Sequence, residues 1–417
     1  MLAEKLRELT KSTEMLPPLP AVTRHLLEVA KDPKSSAENM GEVISTDLGF
    51  SAKLLKLVNS SFYGFSKQIS TISRAVVILG YDAVKSLAMG VSAYEVLAKK
   101  MSGGPLDHQE FWRHNLAVAA IGKLLAERSK YNPVEEGFVA GLLHDTGKLI
   151  LGTNAAKVLE AVLLQAKKEP GRDLAEIEQE LLGIDHCILG GNVFKQWKFP
   201  DELVWATRNH HSPETDSTGK TAHLEAVAYL ANSLAKIRCV GSSGNDVFPS
   251  ISKQMMDRLK MDETDLLRVL LESDGEIAKA ASLLNIDFTP REAGGETGQE
   301  QAAKILLLGP TPRQVRTTRL VLEAAGYNVS VEFCKSLSPD RVRDEKPGIL
   351  VVDTRDASLD FDAPEDGVWT GQPVLVLSGP DPRGTNLPAQ NVTTLVAPFT
   401  VRKLLDTVHS LKVPGNG

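Results

Sequence analysis

The chain has 417 residues, 42% of them hydrophobic and 24% charged, with a formal net charge of −6. That length provides for two or three domains with sizeable cores, and the acidic balance argues against a protein that coats nucleic acid over its whole surface. MLAEKLRELTKSTEMLPPLP is too charged for a secretory leader and no apolar run reaches membrane-spanning length, so no membrane association and a cytoplasmic location are expected.

Residues 1–288 read as almost wholly helical. Apolar residues recur at three- and four-residue spacing in SAKLLKLVNSSF, AVVILGYDAVKSLAMGVSAYEVL, NLAVAAIGKLLAERS, AAKVLEAVLLQA and EAVAYLANSLAKI. Breakers stand at LPPLP, MSGGP and GSSGNDVFPS, and MSGGP divides the helical part into subdomains 1–104 and 105–288. Residues 289–303 are charged, glycine-rich and aperiodic, and read as a linker. From 304 to 417 the pattern alternates. KILLLG is a strand candidate, and Thr311-Pro312-Arg313-Gln314 opens a helix with capping-box spacing. That helix runs to Gly326. NVSVEF, GILVVD, PVLVLS and TLVAPF follow as strands, and TVRKLLDTVHSL as a last helix. Strands buried on both faces and alternating with helices indicate a small parallel α/β domain.

The chemistry-bearing residues concentrate in the helical part. His114, His144, His186, His210 and His211 come from four separate elements, with Asp145 and Asp185 beside two of them. Imidazole and carboxylate are the donors of divalent transition-metal sites. Hydrolysis of a phosphate ester uses such a metal to activate water. Lys148 lies four residues after His144 in GLLHDTGKLIL, so one helix face would carry both, and Glu110 stands in the same relation to His114. His210 and His211 would point about 100° apart on a helix, which suits two metals better than one. The cysteines Cys187, Cys239 and Cys334 form no CxxC pair and read as reduced, small apolar residues.

From Met15 to about residue 285 the chain resembles an HDOD domain, the non-enzymatic relative of HD-type metal phosphohydrolases. MLPPLPAVTRHLLEV, VISTDLGFSAKLLKLVNSSFYGF, FWRHNLAVAA, FVAGLLHDTGKLIL, GIDHCILGGNVFKQWKFPDELV and RNHHSP carry the resemblance. It implies an all-α HD-like domain in which His114, His144, Asp145, His186, His210 and His211 match metal ligands. Glu110 and Asn232 would be peripheral, and Lys148 would be the phosphate-side and catalytic residue if the domain is an enzyme. The implied metal is Fe, Mn or Zn. Asn232 stands where the family's closing aspartate belongs, and a Gly-Tyr-Pro element is absent after His211. Both departures weigh toward a silent domain rather than a phosphohydrolase or cyclic-dinucleotide phosphodiesterase.

Residues 304–412 resemble a response-regulator receiver domain, a flavodoxin-like α/β fold. Asp353 matches the phosphoacceptor and Ser378 the residue ending the fourth strand. Gly309-Pro310 replace the acidic Mg²⁺-binding pair, and Ala397 replaces the lysine before Pro398. Without the acidic pair nothing neutralises an incoming phosphoryl group, so Asp353 is expected to stay unphosphorylated. The helix–Gly–helix rhythm of TDLGFSAKLLKLVNSS, with Lys53, Lys56 and Asn59, leaves a DNA-binding regulator as a further alternative. ILGYDAVKSLAMGV offers only Lys85, and bundle packing explains both stretches more simply. Phe62, Tyr63 and Phe65 read as helix-end packing or a groove wall. The expectation is a multidomain signal-transduction protein of a bacterial two-component kind. It would act on a signalling protein partner rather than on nucleic acid, with the receiver-like domain available as a homodimer surface.

Overall fold

The computed structural model describes residues 18–29, 35–60, 63–65, 67–100, 104–169, 171–213, 216–244, 247–284, 286–288, 303–333, 345–355, 373–379, 391–397 and 399–411. Cys334, Phe62, Pro398 and nearly all of the expected linker lie outside them.

The helical half begins with α1 (Ala21–Val29), α2 (Ala37–Ser45), α3 (Leu48–Val58), α4 (Ile72–Leu79) and α5 (Tyr81–Lys100). Three of these starts are set by short polar side chains that accept from first-turn amides. Asp47 caps α3 through Phe50 N, Thr71 caps α4 through Arg74 N, and Ser36 forms a reciprocal capping box with Asn39. Each such cap contributes about 1 kcal/mol.

The following helices are organised around α6 (His108–Arg128), which runs through the core. Its residues from Leu116 to Ala126 are all buried. Against it pack α7 (Glu135–Leu143), α13 (Gly219–Arg238) and α15 (Glu263–Leu284). Between α7 and α13 come α8 (Thr146–Asn154), α9 (Ala156–Lys168), α10 (Leu174–Leu182), α11 (His186–Gln196) and α12 (Asp201–Arg208), and α14 (Lys253–Leu259) precedes α15. The approach of α7 to α6 depends on Gly141. A Cβ there would lie 2.5 Å from Val118 C and O, closer than real carbon contacts allow.

The C-terminal half contains β1 (Lys304–Gly309), α16 (Pro312–Ala324), β2 (Asn328–Phe333), β3 (Ile349–Thr354), β4 (Val374–Ser378), β5 (Val392–Val396) and α17 (Val401–Ser410). All four strand pairings are parallel and the order is β2-β1-β3-β4-β5. That is a doubly wound order, with a crevice expected at the strand ends where it reverses, between β1 and β3. β3 and β4 are buried throughout and β1 from Ile305 onward, as their apolar composition requires, but β2 and β5 are sheet edges and only partly covered. The expectation of strands buried on both faces therefore applies to the three central ones. Thr311 stands at the N-cap of α16 with Pro312 following, yet its side chain makes no capping hydrogen bond. The helix ends as anticipated, with Gly326 at φ +93°.

The two halves touch. Arg316 on α16 pairs with Glu263 at 2.7 Å and donates to Ile251 O at 3.2 Å. The Phe248 and Phe399 rings meet at 5.3 Å. No single helix among the described residues is long and apolar enough to cross a membrane. Gly141→Ala is expected to cost about 1–3 kcal/mol through overpacking of α6 against α7, read as a lower urea midpoint with an unchanged slope.

Candidate metal centre

GLLHDTGKLIL, which reads as one continuous helix, is broken at its centre. His144 is the C-cap of α7 and Asp145 the N-cap of α8. The break has a chemical result: Lys148, expected on one face with His144, instead reaches back to Asp145 Oδ2 at 2.9 Å. Lys148 also donates to Ser243 Oγ at 3.0 Å. Lys148 and Asp145 are each at most 1% exposed. Two such charges survive without water only because they face one another.

Around this pair the structure gathers His114, His144, His186, His210 and His211. His114 and His144 have ring centroids 5.4 Å apart, His144 and His210 4.8 Å, and His186 and His211 5.1 Å. His210 and His211 are not helical, because α12 ends at Arg208 and a bend follows. The expected divergence of about 100° does not arise. Their rings lie 4.4 Å apart and both join the cluster.

The hydrogen bonds fix the tautomers. His144 Nδ1 lies 2.8 Å from Gly141 O, and His210 Nδ1 lies 2.7 Å from Thr207 O. A carbonyl oxygen only accepts, so both Nδ1 atoms carry a proton, and the two Nε2 atoms face the Asp145 carboxylate at 3.2 and 3.5 Å. His211 Nδ1 likewise meets Asp173 Oδ2 at 2.9 Å. His144 Nε2, His211 Nε2 and Asp145 Oδ1 are buried without a hydrogen-bond partner. Metal-ligating histidines characteristically donate from the far ring nitrogen to a carbonyl or carboxylate in this way. Two groups have donor atoms lying within 4.8 Å of one another: His114, His144 and Asp145, and His186, Cys187, His210 and His211. The donor set therefore fits a divalent metal.

Electrostatics follow from burial. Burial holds His114 and His210 well below the ordinary imidazole range and brings His211 down to about 4. Burial opposes the Asp145 carboxylate, but His144 and Lys148 outweigh it and hold its pKa well below the usual value. Burial also opposes a charged His186; Cys187 and the Glu178 carboxylate, 2.5 Å from Nδ1, reverse that and raise it. The Cys187 thiol is itself pushed up to about 11 by burial.

Other expected residues sit differently. Asn232 Oδ1 meets His114 Nε2 at 3.1 Å, closing the ring of contacts with a neutral amide. Glu110 pairs with Arg113 at 2.7 Å. Asp185 caps α11 by accepting from Ile188 N at 2.8 Å. Three contributors lay outside the sequence reading. Cys187 Sγ stands 3.5 Å from His186 Nε2. Asp173 both caps α10 and holds His211. Glu178 is fully buried, and a carboxylate midway between Leu174 and Leu182 on the apolar stripe of LAEIEQELL was the available signal. α8 presses on this shell at Gly147, where a Cβ would fall 1.9 Å from His186 O.

In the α/β half, Asp353 is fully buried at the end of β3. Its oxygens meet Arg355 at 2.9 and 2.6 Å and the Thr318 hydroxyl at 2.8 Å. The Arg355 guanidinium also stacks over Phe248 at 4.6 Å and Phe399 at 5.4 Å. Ser378 Oγ is buried without a hydrogen-bond partner.

The HDOD domain family model matches residues 16–213. An HDOD domain protein of unknown function from Geobacter sulfurreducens superposes with a TM-score of 0.55 at 26% identity, covering 69% of this chain and 98% of that one. A structure described as a putative signal transduction protein from Marinobacter aquaeolei VT8 gives 0.50 at 23% identity and covers 64% of this chain and 60% of that one. An uncharacterised protein of Treponema pallidum (strain Nichols) is 22% identical over 197 residues, 47% of this chain; the chain spans 38% of that relative's length. Residues 16–213 thus match the HDOD domain model, and the helical part is followed by a parallel five-stranded α/β domain.

Lys148→Met is expected to destabilise the protein by about 3–5 kcal/mol in urea titration under metal-free conditions, because Asp145 loses its buried counter-charge. The double change Asp145→Asn with Lys148→Met should recover most of that. A loss under about 1 kcal/mol for Lys148→Met alone would mean the histidines balance Asp145 by themselves.

Proposed function

We propose that the protein is a signal-transduction regulator that acts through protein contacts, with an HD-like centre that does not turn over substrate. The observation that carries this reading is the Asp145–Lys148 pair, sealed under a shell in which His144, His186 and His210 are at most 1% exposed. One oxygen of the central carboxylate, Asp145 Oδ2, is held by a protein ammonium, and His114 meets Asn232 rather than a carboxylate.

The α/β domain serves this reading as a receiver-like module that is not phosphorylated. Arg355 and Thr318 already occupy the Asp353 oxygens, and Gly309-Pro310 offer no carboxylate for Mg²⁺. Acetyl phosphate is expected to leave no Asp353-dependent phosphorylated species on a phosphate-affinity gel; a band lost in Asp353→Asn would reverse the assignment.

The converging histidines and carboxylate favour a second reading, a metal-dependent phosphohydrolase. His144, Asp145, His186, His210 and His211 would hold Fe, Mn or Zn, and the metal would supply Lewis acidity toward a phosphoryl oxygen and an acidified water. Lys148 would hold the phosphate side, and His211 would stay oriented by Asp173. Elemental mass spectrometry of untagged, chelator-free protein decides whether metal is retained, with His144→Ala as control. Metal-loaded protein is expected to release no product from a panel of phosphomonoesters and cyclic dinucleotides. Turnover abolished in His144→Ala would establish the phosphohydrolase reading instead.

A further inference from the structure

The Arg355 side chain stands at the seam between the two halves and engages both. On the α/β side its Nε and Nη2 donate to Asp353 Oδ1 and Oδ2 at 2.9 and 2.6 Å, and Nη2 also reaches Thr318 Oγ1 at 2.8 Å. On the helical side the guanidinium lies over Phe248, 4.6 Å from the ring centre, and Phe248 belongs to the segment between α13 and α14. We propose that Asp353 and Arg355 form a latch: the charged carboxylate holds the guanidinium against Phe248, and so keeps the α/β domain docked on the helical half.

Geometry is the first argument. A bidentate guanidinium–carboxylate pair fixes the direction of the arginine as well as its distance. The Arg355 backbone is set too: its carbonyl oxygen is so close to Gly379, which follows β4, that a Cβ there would lie 2.8 Å away. What can turn is the side chain, and Asp353 decides where it points. With the carboxylate in place, the guanidinium is within cation–π reach of Phe248 and, at 5.4 Å, of Phe399. The Phe399 ring itself meets Phe248 at 5.3 Å. One cation thus joins an aromatic pair to which each half contributes a ring.

Burial is the second argument. Asp353 is fully buried and the Arg355 side chain is 16% exposed, so the pair lies at the border of the core. A guanidinium that loses its carboxylate there is stabilised more by water than by two apolar rings, and water is close. The remaining contacts between the halves are laid out differently. Arg316 and Arg319 meet Glu263 at 2.7 and 3.6 Å, and Arg238 donates to Ala324 O at 3.4 Å. These hold α16 on α15 and α13 and involve neither Asp353 nor Arg355. Arg316 also donates to Ile251 O, so the segment 247–251 is gripped at two points, of which the latch is one. Neutralising Asp353 therefore loosens the docking without dissolving it. The latch needs neither metal nor turnover in the helical half.

Hydrogen–deuterium exchange of the full-length protein, read by mass spectrometry, tests the latch. Peptides covering 247–251 and α16 are expected to exchange at least about fivefold faster in Asp353→Asn and in Arg355→Lys. Lysine keeps the positive charge but lacks the planar fork that holds a carboxylate and covers a ring together. Phe248→Ala, which changes nothing inside the α/β domain, should speed exchange in α16 while β1 and β3 stay protected. In that background Asp353→Asn should add no further acceleration at α16, because the two changes break one contact. Ser378→Ala, on the neighbouring strand and outside the latch, should exchange as the parent does. Acceleration confined to the sheet in Asp353→Asn and Arg355→Lys, with 247–251 unchanged, overturns the proposal. So do additive effects of Asp353→Asn and Phe248→Ala, or an equal acceleration in Ser378→Ala. Should Asp353→Asn unfold the α/β domain, Phe248→Ala and Arg355→Lys decide the matter, and unchanged α16 exchange in both overturns the latch.

Discussion

A lysine and an aspartate, three residues apart and both cut off from water, set the terms for the helical half. Desolvating either alone would cost several kcal/mol. The neighbouring histidines and Glu178 share the field of the pair, and α7 ends and α8 begins where Asp145 must turn inward. The helix break, the close approach of α6 and α7, and the carbonyl-held imidazoles can be read as accommodations to that pair. A core of leucines would have needed none of them.

The same logic recurs in the α/β half on a smaller scale. Asp353, buried at the switch point of the sheet, is neutralised by Arg355 and held by Thr318. In both halves a buried carboxylate is balanced by a cation supplied by the chain itself.

Much of this was legible in the sequence. The five periodic stretches fall on helices, and apolar runs marked β1 to β4 and the end of β5. The histidines, coming from four separate elements, were recognisable as one constellation because no bland core needs so many. What was not legible is local and geometric. GLLHDTGKLIL carries no glycine or proline at its break, so nothing in the pattern separates His144 from Asp145. Histidines 210 and 211 escape helical geometry because α12 stops at Arg208 and a bend follows. Glu178 and Asp173 were passed over for a different reason: acidic residues on short amphipathic helices are usually solvated, and only the fold shows which of them turn inward. Contacts such as Phe248 on Phe399 join segments some 150 residues apart in sequence, and no local signal anticipates them.

Gly147 shows how little space separates the framework from the chemistry. With backbone pressed on backbone at His186, the smallest side chain at that position would push a histidine away without altering any donor atom. Relatives that keep every histidine and aspartate but carry a larger residue there would preserve the motif and lose the geometry. Counting ligands in a sequence would then misjudge which members of such a lineage hold a metal, and the packing glycine would be the better marker.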